Sequence, residues 1–315
     1  MTEPFRILSL DGGGIRGAAT AQVLIELEKD LERSLYDSFD LIAGTSTGGL
    51  IAIYLGAKRA TGEQIVDLYS AANGRRIFDK SFWDRALPVQ NQPKYDGQGK
   101  RELIAQYLGD QQILSVEKKI LITGYDIIQR RVAIFKSWGG SDSQYNPTLR
   151  EIGDITSAAP TYFPSIESSE QPPRWLVDGG LAANNPGMCA IAEALRLGQR
   201  LEDIQMISVG TGIPTRHADR ADAIGRASQN WGGIEWLQHG LIDHLFAGNS
   251  STCEYQCATL LGANHVRIDG PLAFAKDDLD DVSAGNINNL KLHGCEWYEQ
   301  KRPQIQALLP DHRRA

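Results

Sequence analysis

Two side chains and one loop of this 315-residue chain have the types and surroundings of an acyl-transfer centre. Ser46 lies in FDLIAGTSTGG, Phe39 to Gly49, with Gly44 two residues before it and Gly48 two residues after. A hydroxyl bracketed this way suits a sharp strand-to-helix turn, because each glycine removes a Cβ that would crowd the corner. Such a turn lifts the hydroxyl clear of the backbone. It also puts the next N–H at the open first turn of a helix, where it can face a developing negative charge. Asp178, in RWLVDGG, is delivered by a short apolar run into the turn Gly179–Gly180. The loop is DGGGIRG, Asp11 to Gly17.

A serine alcohol becomes a nucleophile when a neighbour takes its proton, and a carboxylate can do so if both are partly desolvated and within reach. Asp178 is the candidate base. The tetrahedral intermediate needs donors for its oxyanion; Gly12, Gly13 and Gly14 let backbone N–H groups converge without side-chain obstruction, and Arg16 would add a fixed positive charge. Three other readings stay open. Gly12, Gly14 and Gly17 also fit a dinucleotide fingerprint, but that pattern wants an acidic residue ending the next strand, where this chain has Gly44 and Ser46. Asp40 stands at that strand's beginning. A Ser-His-Asp triad is allowed by chain order, since His217, His239, His244, His265, His293 and His312 all follow Asp178, though none has a flanking motif. The third is a non-catalytic lipid- or nucleotide-binding module in which Ser46 is structural.

The elements that must hold these residues read as a parallel sheet with helices. Phe5–Leu10 is an apolar strand entering the glycine loop, and Ala18–Ser34 has a helical period through Val23, Leu24, Leu27 and Leu31. Phe39–Ala43 and Thr47–Arg59 repeat the strand and helix, a β-α-β-α unit that places its loops at the carboxyl ends of the strands. Lys119–Tyr125 and Arg131–Ser137 are β-branched strands joined by a turn, Leu149–Thr156 is helical, and Arg174–Val177 delivers Asp178. Asn185 and Pro186 open a helix as N-cap and first helical residue, and Gln205–Val209 is a further strand. Helices are expected over Trp231–Ala247, Cys253–Leu261 and Ile287–Leu309. Between Gly62 and Gly109, the aromatic group Ile77, Phe78, Phe82 and Trp83 beside Arg75 and Arg76 suits either a satellite core or a cap that meets lipid.

Composition bounds the rest. A hydrophobic fraction of 42% and charged fraction of 23% exclude global disorder. The net charge of -7 disfavours nucleic acid as a partner and gives no long-range attraction to anionic membrane. MTEPFRILSL lacks the basic and apolar regions of a signal peptide, and the longest uncharged run, Leu41–Ala57, is short of a spanning helix. The expectation is a cytoplasmic protein. Of the four cysteines only Cys253 and Cys257 are close, without the ligand spacing of a zinc site; buried thiols are expected. No composition shift divides the chain, so one domain is expected, with a core over about 5–211 and a helical extension over about 212–315.

DGGGIRG, GTSTG with a following glycine, SAAPTYFP (Ser157–Pro164) and DGG, in this order, resemble the patatin-like phospholipases over about Phe5 to Thr211. The resemblance implies a three-layer α/β/α fold with a central, mostly parallel sheet and helical C-terminal additions. It implies a Ser/Asp dyad without histidine, metal or other cofactor, hydrolysing acyl esters of phospholipids or related lipids at a membrane surface. Carried over position by position, Ser46 is the nucleophile, Asp178 the base and Gly12 to Arg16 the oxyanion hole, with Gly44, Gly48, Gly179 and Gly180 shaping the turns. The acidic motif reads DGG where many members have DGA. The tail LDDVSAGNINNLKLHG, Leu279 to Gly294, is similar to the end of bacterial patatin-like effectors of antiphage defence. That implies a cyclic oligonucleotide activator, peripheral location at the inner membrane when active, and possible oligomers; a stand-alone lipid hydrolase fits equally.

Overall fold

A computed structural model describes residues 3–79, 92–139, 145–215 and 221–309. In chain order, β1 (Phe5–Leu10) leads through the glycine loop to α1 (Gly17–Leu31), and after α2 (Leu35–Ser38), β2 (Leu41–Gly44) leads to α3 (Thr47–Lys58). Three helices, α4 (Gly62–Leu68), α5 (Ala71–Ile77) and α6 (Gln98–Leu108), precede the hairpin of β3 (Lys119–Asp126) and β4 (Arg131–Lys136). Next come α7 (Leu149–Thr156), β5 (Ile166–Glu167), β6 (Trp175–Asp178), α8 (Gly180–Ala183), α9 (Gly187–Arg196), β7 (Ile204–Val209) and β8 (Ile213–Pro214). The chain continues through α10 (Ala221–Ser228), α11 (Gly233–Gln238), α12 (Leu241–Leu261), β9 (His265–Ile268), β10 (Pro271–Leu272) and α13 (Ala284–Leu308).

The main sheet has the order β5-β6-β3-β2-β1-β7-β9, with β4 also on β3. Its centre is parallel; β4 and β6 pair antiparallel with β3, and β5 pairs antiparallel with β6. Strand alternation sends alternate side chains to opposite faces. Leu8, Leu10, Ile42 and Ile122 pack under helices that include α1, α3, α7 and α13. Ile7, Leu41, Ala43 and Leu121 pack against α9 and α12. The result is the three-layer α/β/α arrangement expected, and β9, from the chain beyond residue 212, is built into the same sheet.

One detail of register brings distant residues together. β4 covers one edge of β3 from Leu121 to Asp126, so β2 and β6 share the other edge. β2 ends with Gly44 opposite Ile122, and β6, running the other way, ends with Asp178 opposite Gly124. The two strands meet head to head. Asp178, at the end of β6, and Ser46, two residues past the end of β2, are therefore brought to the same place.

Several boundaries differ from the sequence expectation. β2 is Leu41–Gly44, because Phe39 is buried directly after α2. α9 begins at Gly187 with Pro186 as its N-cap, and the Asn185 side chain accepts from the Gly187 N–H at 2.9 Å. α13 starts at Ala284, capped by the Ser283 hydroxyl. The helix α10 was not expected. The break placed between Ala247 and Cys253 instead falls at Gly240, in left-handed conformation with φ 77°, and α12 runs unbroken through GNSS. Local propensity disfavours that tetrapeptide in a helix, but its side chains are needed elsewhere. Asn249 accepts from the Asn184 N–H at 2.8 Å and donates to the Gly180 carbonyl at 2.7 Å, and Ser250 accepts from Asn184 at 2.9 Å. Phe82, Trp83, His217 and His312 lie outside the described residues.

Candidate active site

Ser46 lies two residues beyond the end of β2, after Thr45, at φ 55°, ψ -123°, a backbone conformation that L-residues rarely adopt. The surrounding contacts hold it there. A Cβ on Gly44 would collide with the Gly48 carbonyl, and one on Gly48 with the Leu10 carbonyl, so both brackets must be glycine. The Ser46 N–H donates to Thr156 Oγ1 at 2.8 Å. Although Ser46 occupies the N-cap position of α3, its hydroxyl caps nothing. It is left free for other chemistry.

Asp178 is fully buried at the end of β6. Its N–H donates to the Ala158 carbonyl at 3.0 Å, and Oδ1 accepts from the Gly180 N–H at 2.8 Å. Oδ2 is buried with no hydrogen-bond partner among the described residues. Burial pushes the carboxyl up to about 6, and the Ser46 hydroxyl, the Gly180 N–H and the Lys100 charge pull against that rise. The Ser46 hydroxyl is thus a direct neighbour of the carboxylate and favours its charged form.

The end of α7 is the strut for both groups: Thr156 holds the Ser46 N–H and Ala158 holds the Asp178 N–H. That strut is tied down by Lys100, a buried cation 2.8 Å from Asp154 Oδ1 that also donates to the Asp154 carbonyl at 2.9 Å and to Ser157 Oγ at 3.2 Å. Desolvation lowers its pKa, and Asp154 works against that. Lys100 belongs to none of the sequence motifs. Its signal is phase, since it shares a helical face with the buried Leu103 and Ile104.

The glycine loop lies against Ser46. A Cβ on Gly12 would come within 3.2 Å of the Ser46 Cβ. The Gly12 N–H, however, donates to the Asn184 carbonyl at 3.0 Å, and the Gly12 carbonyl accepts from Thr211 Oγ1 at 2.9 Å. Gly13 and Gly14 differ: neither N–H has a partner among the described residues, and both residues line the cavity that contains Ser46 and Asp178. Arg16 donates through Nε to the Gly13 carbonyl at 3.3 Å and so braces the loop. Burial lowers its pKa, offset first by Asp243.

Asp11 anchors the loop through residues the sequence reading did not single out. Arg267, on β9, binds it with two bonds of 2.9 and 2.7 Å and reaches Asp269 at 2.7 Å. Burial opposes the Arg267 charge, but the two carboxylates hold its pKa well above the ordinary value. A charged residue between Val266 and Ile268 in a buried strand is itself a signal of a buried partner. Arg267→Met leaves Asp11 and Asp269 buried without their cation, and is expected to lower stability by about 3–5 kcal/mol. Equilibrium denaturant unfolding of the variant checks this.

The remaining cavity wall is apolar, formed by side chains including Leu50, Phe78, Ile104, Phe163 and Phe246. Phe78 packs on Tyr95 and Phe163, with ring centroids 5.3 and 5.9 Å away. Of the proposed aromatic cap, Ile77 and Phe78 thus face the site. The histidines His239, His244, His265 and His293 do not line it. His265 pairs with Ser208 at 2.9 Å, His293 is buried beside Phe274, and His239 stacks on Trp231. Asp40 accepts from the Arg6 N–H at 2.7 Å, at the far end of β1 from the glycine loop. The cysteines are free thiols, and no group of three or more acidic, His or Cys side chains suited to a metal occurs among the described residues.

The arrangement can activate a hydroxyl against a carbonyl held in an apolar cleft with two N–H donors. Comparison with known proteins gives the chain's relatives. The chain is 31% identical over 326 residues to Patatin-like protein 4 of Arabidopsis thaliana, covering 90% of this chain and 81% of that protein. It is 29% identical over 299 residues to the cGAMP-activated phospholipase of Pseudomonas aeruginosa, covering 92% of this chain and 86% of the other. Among solved structures, VipD from Legionella pneumophila aligns over 95% of this chain and 67% of its own, with TM-score 0.48 and 12% identity. Residues 8–191, which contain the glycine loop, the serine turn and the aspartate turn, match the family model for patatin-like phospholipases, and the chain belongs to that family.

Proposed function

We propose that this protein is a phospholipase A-type lipid acyl hydrolase working through a Ser46/Asp178 dyad. Ser46 Oγ attacks the ester carbonyl as Asp178 Oδ2 takes its proton. The tetrahedral intermediate collapses to an acyl-enzyme and releases the lyso-lipid alcohol, to which the proton passes; Asp178 then activates the water that frees the fatty acid. The Gly13 and Gly14 N–H groups receive the oxyanion, and Arg16 supports them through the loop. The observation that carries this reading is the meeting, in one apolar cavity, of an uncommitted serine hydroxyl and a carboxylate oxygen with no hydrogen bond. Incubation with phosphatidylcholine and mass analysis of the products tests it: free fatty acid and lyso-lipid are expected, and intact substrate would refute it.

The similarity to a cGAMP-activated phospholipase supports a cyclic oligonucleotide as activator. Hydrolysis measured with and without a panel of cyclic di- and trinucleotides decides this. A rate indifferent to all of them would leave a constitutive hydrolase.

Lys100 supplies a prediction about pH. Its charge helps hold the Asp178 pKa down, and the base works only when deprotonated. Removing the cation in Lys100→Met therefore raises that pKa above about 6, and activity should fail at higher pH than in the parent protein. The acid limb of the kcat/KM profile on a soluble ester is the readout. A role in packing alone would lower the rate at every pH and leave the limb in place.

A further inference from the structure

One apolar face is left uncovered. Between Ile234 and Leu245, on α11 and the first turn of α12, Ile234, Trp236, Leu237 and Leu245 are 69%, 37%, 61% and 48% exposed. Scattered apolar residues are normal on a surface, but four large ones exposed on two successive helices, with Ile234 and Leu237 one helical turn apart, suit a contact site. Trp231 packs edge-on against Trp236 at 5.1 Å and stacks on His239 at 4.0 Å, so the two indoles form an ordered pair. From Trp231 to Leu245 the chain carries Glu235 and Asp243 and neither lysine nor arginine. The face adjoins the cavity wall through α12. Phe246, the residue after Leu245, is buried in the wall that encloses Ser46 and Asp178.

We propose that α11 and the start of α12 form the lipid-docking rim of the active site, seating on the interfacial zone of a phospholipid bilayer. This rests on the hydrolase reading above, since an acyl ester must leave the bilayer to reach Ser46. The start of α12 is apolar outside at Leu245 and inside at Phe246, so the same helix that would meet the lipid also lines the cleft that would receive its acyl chain. Paired tryptophans suit the headgroup boundary, and short amphipathic helices suit lying in its plane. The absence of lysine and arginine commits the rim to apolar rather than electrostatic adhesion, so anionic lipid is not required.

The test uses Ile234→Asp with Leu237→Asp in the full chain, both at exposed positions. Flotation with phosphatidylcholine vesicles, in a Ser46→Ala background so that the membrane stays intact, should show at least about a tenfold loss of binding. With Ser46 restored, vesicle hydrolysis should fall in parallel while p-nitrophenyl butyrate hydrolysis stays within about twofold, because no group near the reacting atoms has changed. Vesicle binding equal to the parent's overturns the proposal. So does parent binding that needs anionic lipid and disappears in about 0.5 M salt, the mark of a basic docking surface. A change of mass by light scattering in the variant would assign the face to self-association and also overturn it. Failure of the hydrolase reading looks different: the parent would leave p-nitrophenyl butyrate intact while flotation still reported the rim.

Discussion

Ser46→Ala is expected to lower kcat/KM on a soluble ester by about 10⁴-fold or more, leaving only the residual rate that binding and oxyanion donors provide. Ser46→Gly should lose activity equally but gain stability. The native serine is held at φ 55°, ψ -123°, which glycine adopts without strain, and such outliers cost about 1–3 kcal/mol. The gain is measurable by denaturant unfolding. If Ser46→Gly were less stable than Ser46→Ala, the strain would be absent and the turn would owe its shape to something other than the nucleophile's placement.

Asp178→Asn carries the second large effect. It keeps the shape of the side chain but cannot take the Ser46 proton, and a loss of about 10³–10⁴ in kcat/KM is expected. The variant also tests the burial of the charge. Burial raises the folded pKa from 3.8 to about 6, so the folded protein holds this proton more tightly than the unfolded chain does. That contribution to stability is fully present below about pH 4 and is lost as pH rises through about 6, a change of about 3 kcal/mol. Asn does not titrate. The stability of Asp178→Asn relative to the parent should therefore increase by about that amount between about pH 3 and pH 7, measured by unfolding at each pH. A constant difference would mean that the carboxyl titrates at its ordinary value.

The chemistry of the site was more legible in the sequence than its support. Ser46, Asp178 and the glycine loop announce themselves because sharp turns and close approaches demand glycine at fixed offsets, a local constraint written in local sequence. The α/β/α layers follow from the same periodicities. What the sequence did not disclose is the meeting of β2 and β6 on one edge of β3, since register between distant strands depends on the whole sheet. Lys100, Thr156, Asn184 and Arg267 were missed for a related reason. Each is a single polar residue whose partner lies 50 or more positions away: Asp154, Ser46, Gly12 and Asp11 respectively. GNSS in α12 misled because its helix-weakening residues serve the turn after Asp178, and tertiary contacts override propensity. Likewise Gly12, read as an oxyanion donor beside Gly13 and Gly14, has its N–H committed to the Asn184 carbonyl, which only the folded chain reveals.

The central claim is that Ser46 is a nucleophile activated by Asp178. A fluorophosphonate probe followed by peptide mapping tests it most directly, because the probe forms a covalent bond only with an activated hydroxyl. One adduct is expected, on Ser46, absent in Ser46→Ala and formed far more slowly in Asp178→Asn. An unlabelled protein, or an adduct on a different serine, would contradict it.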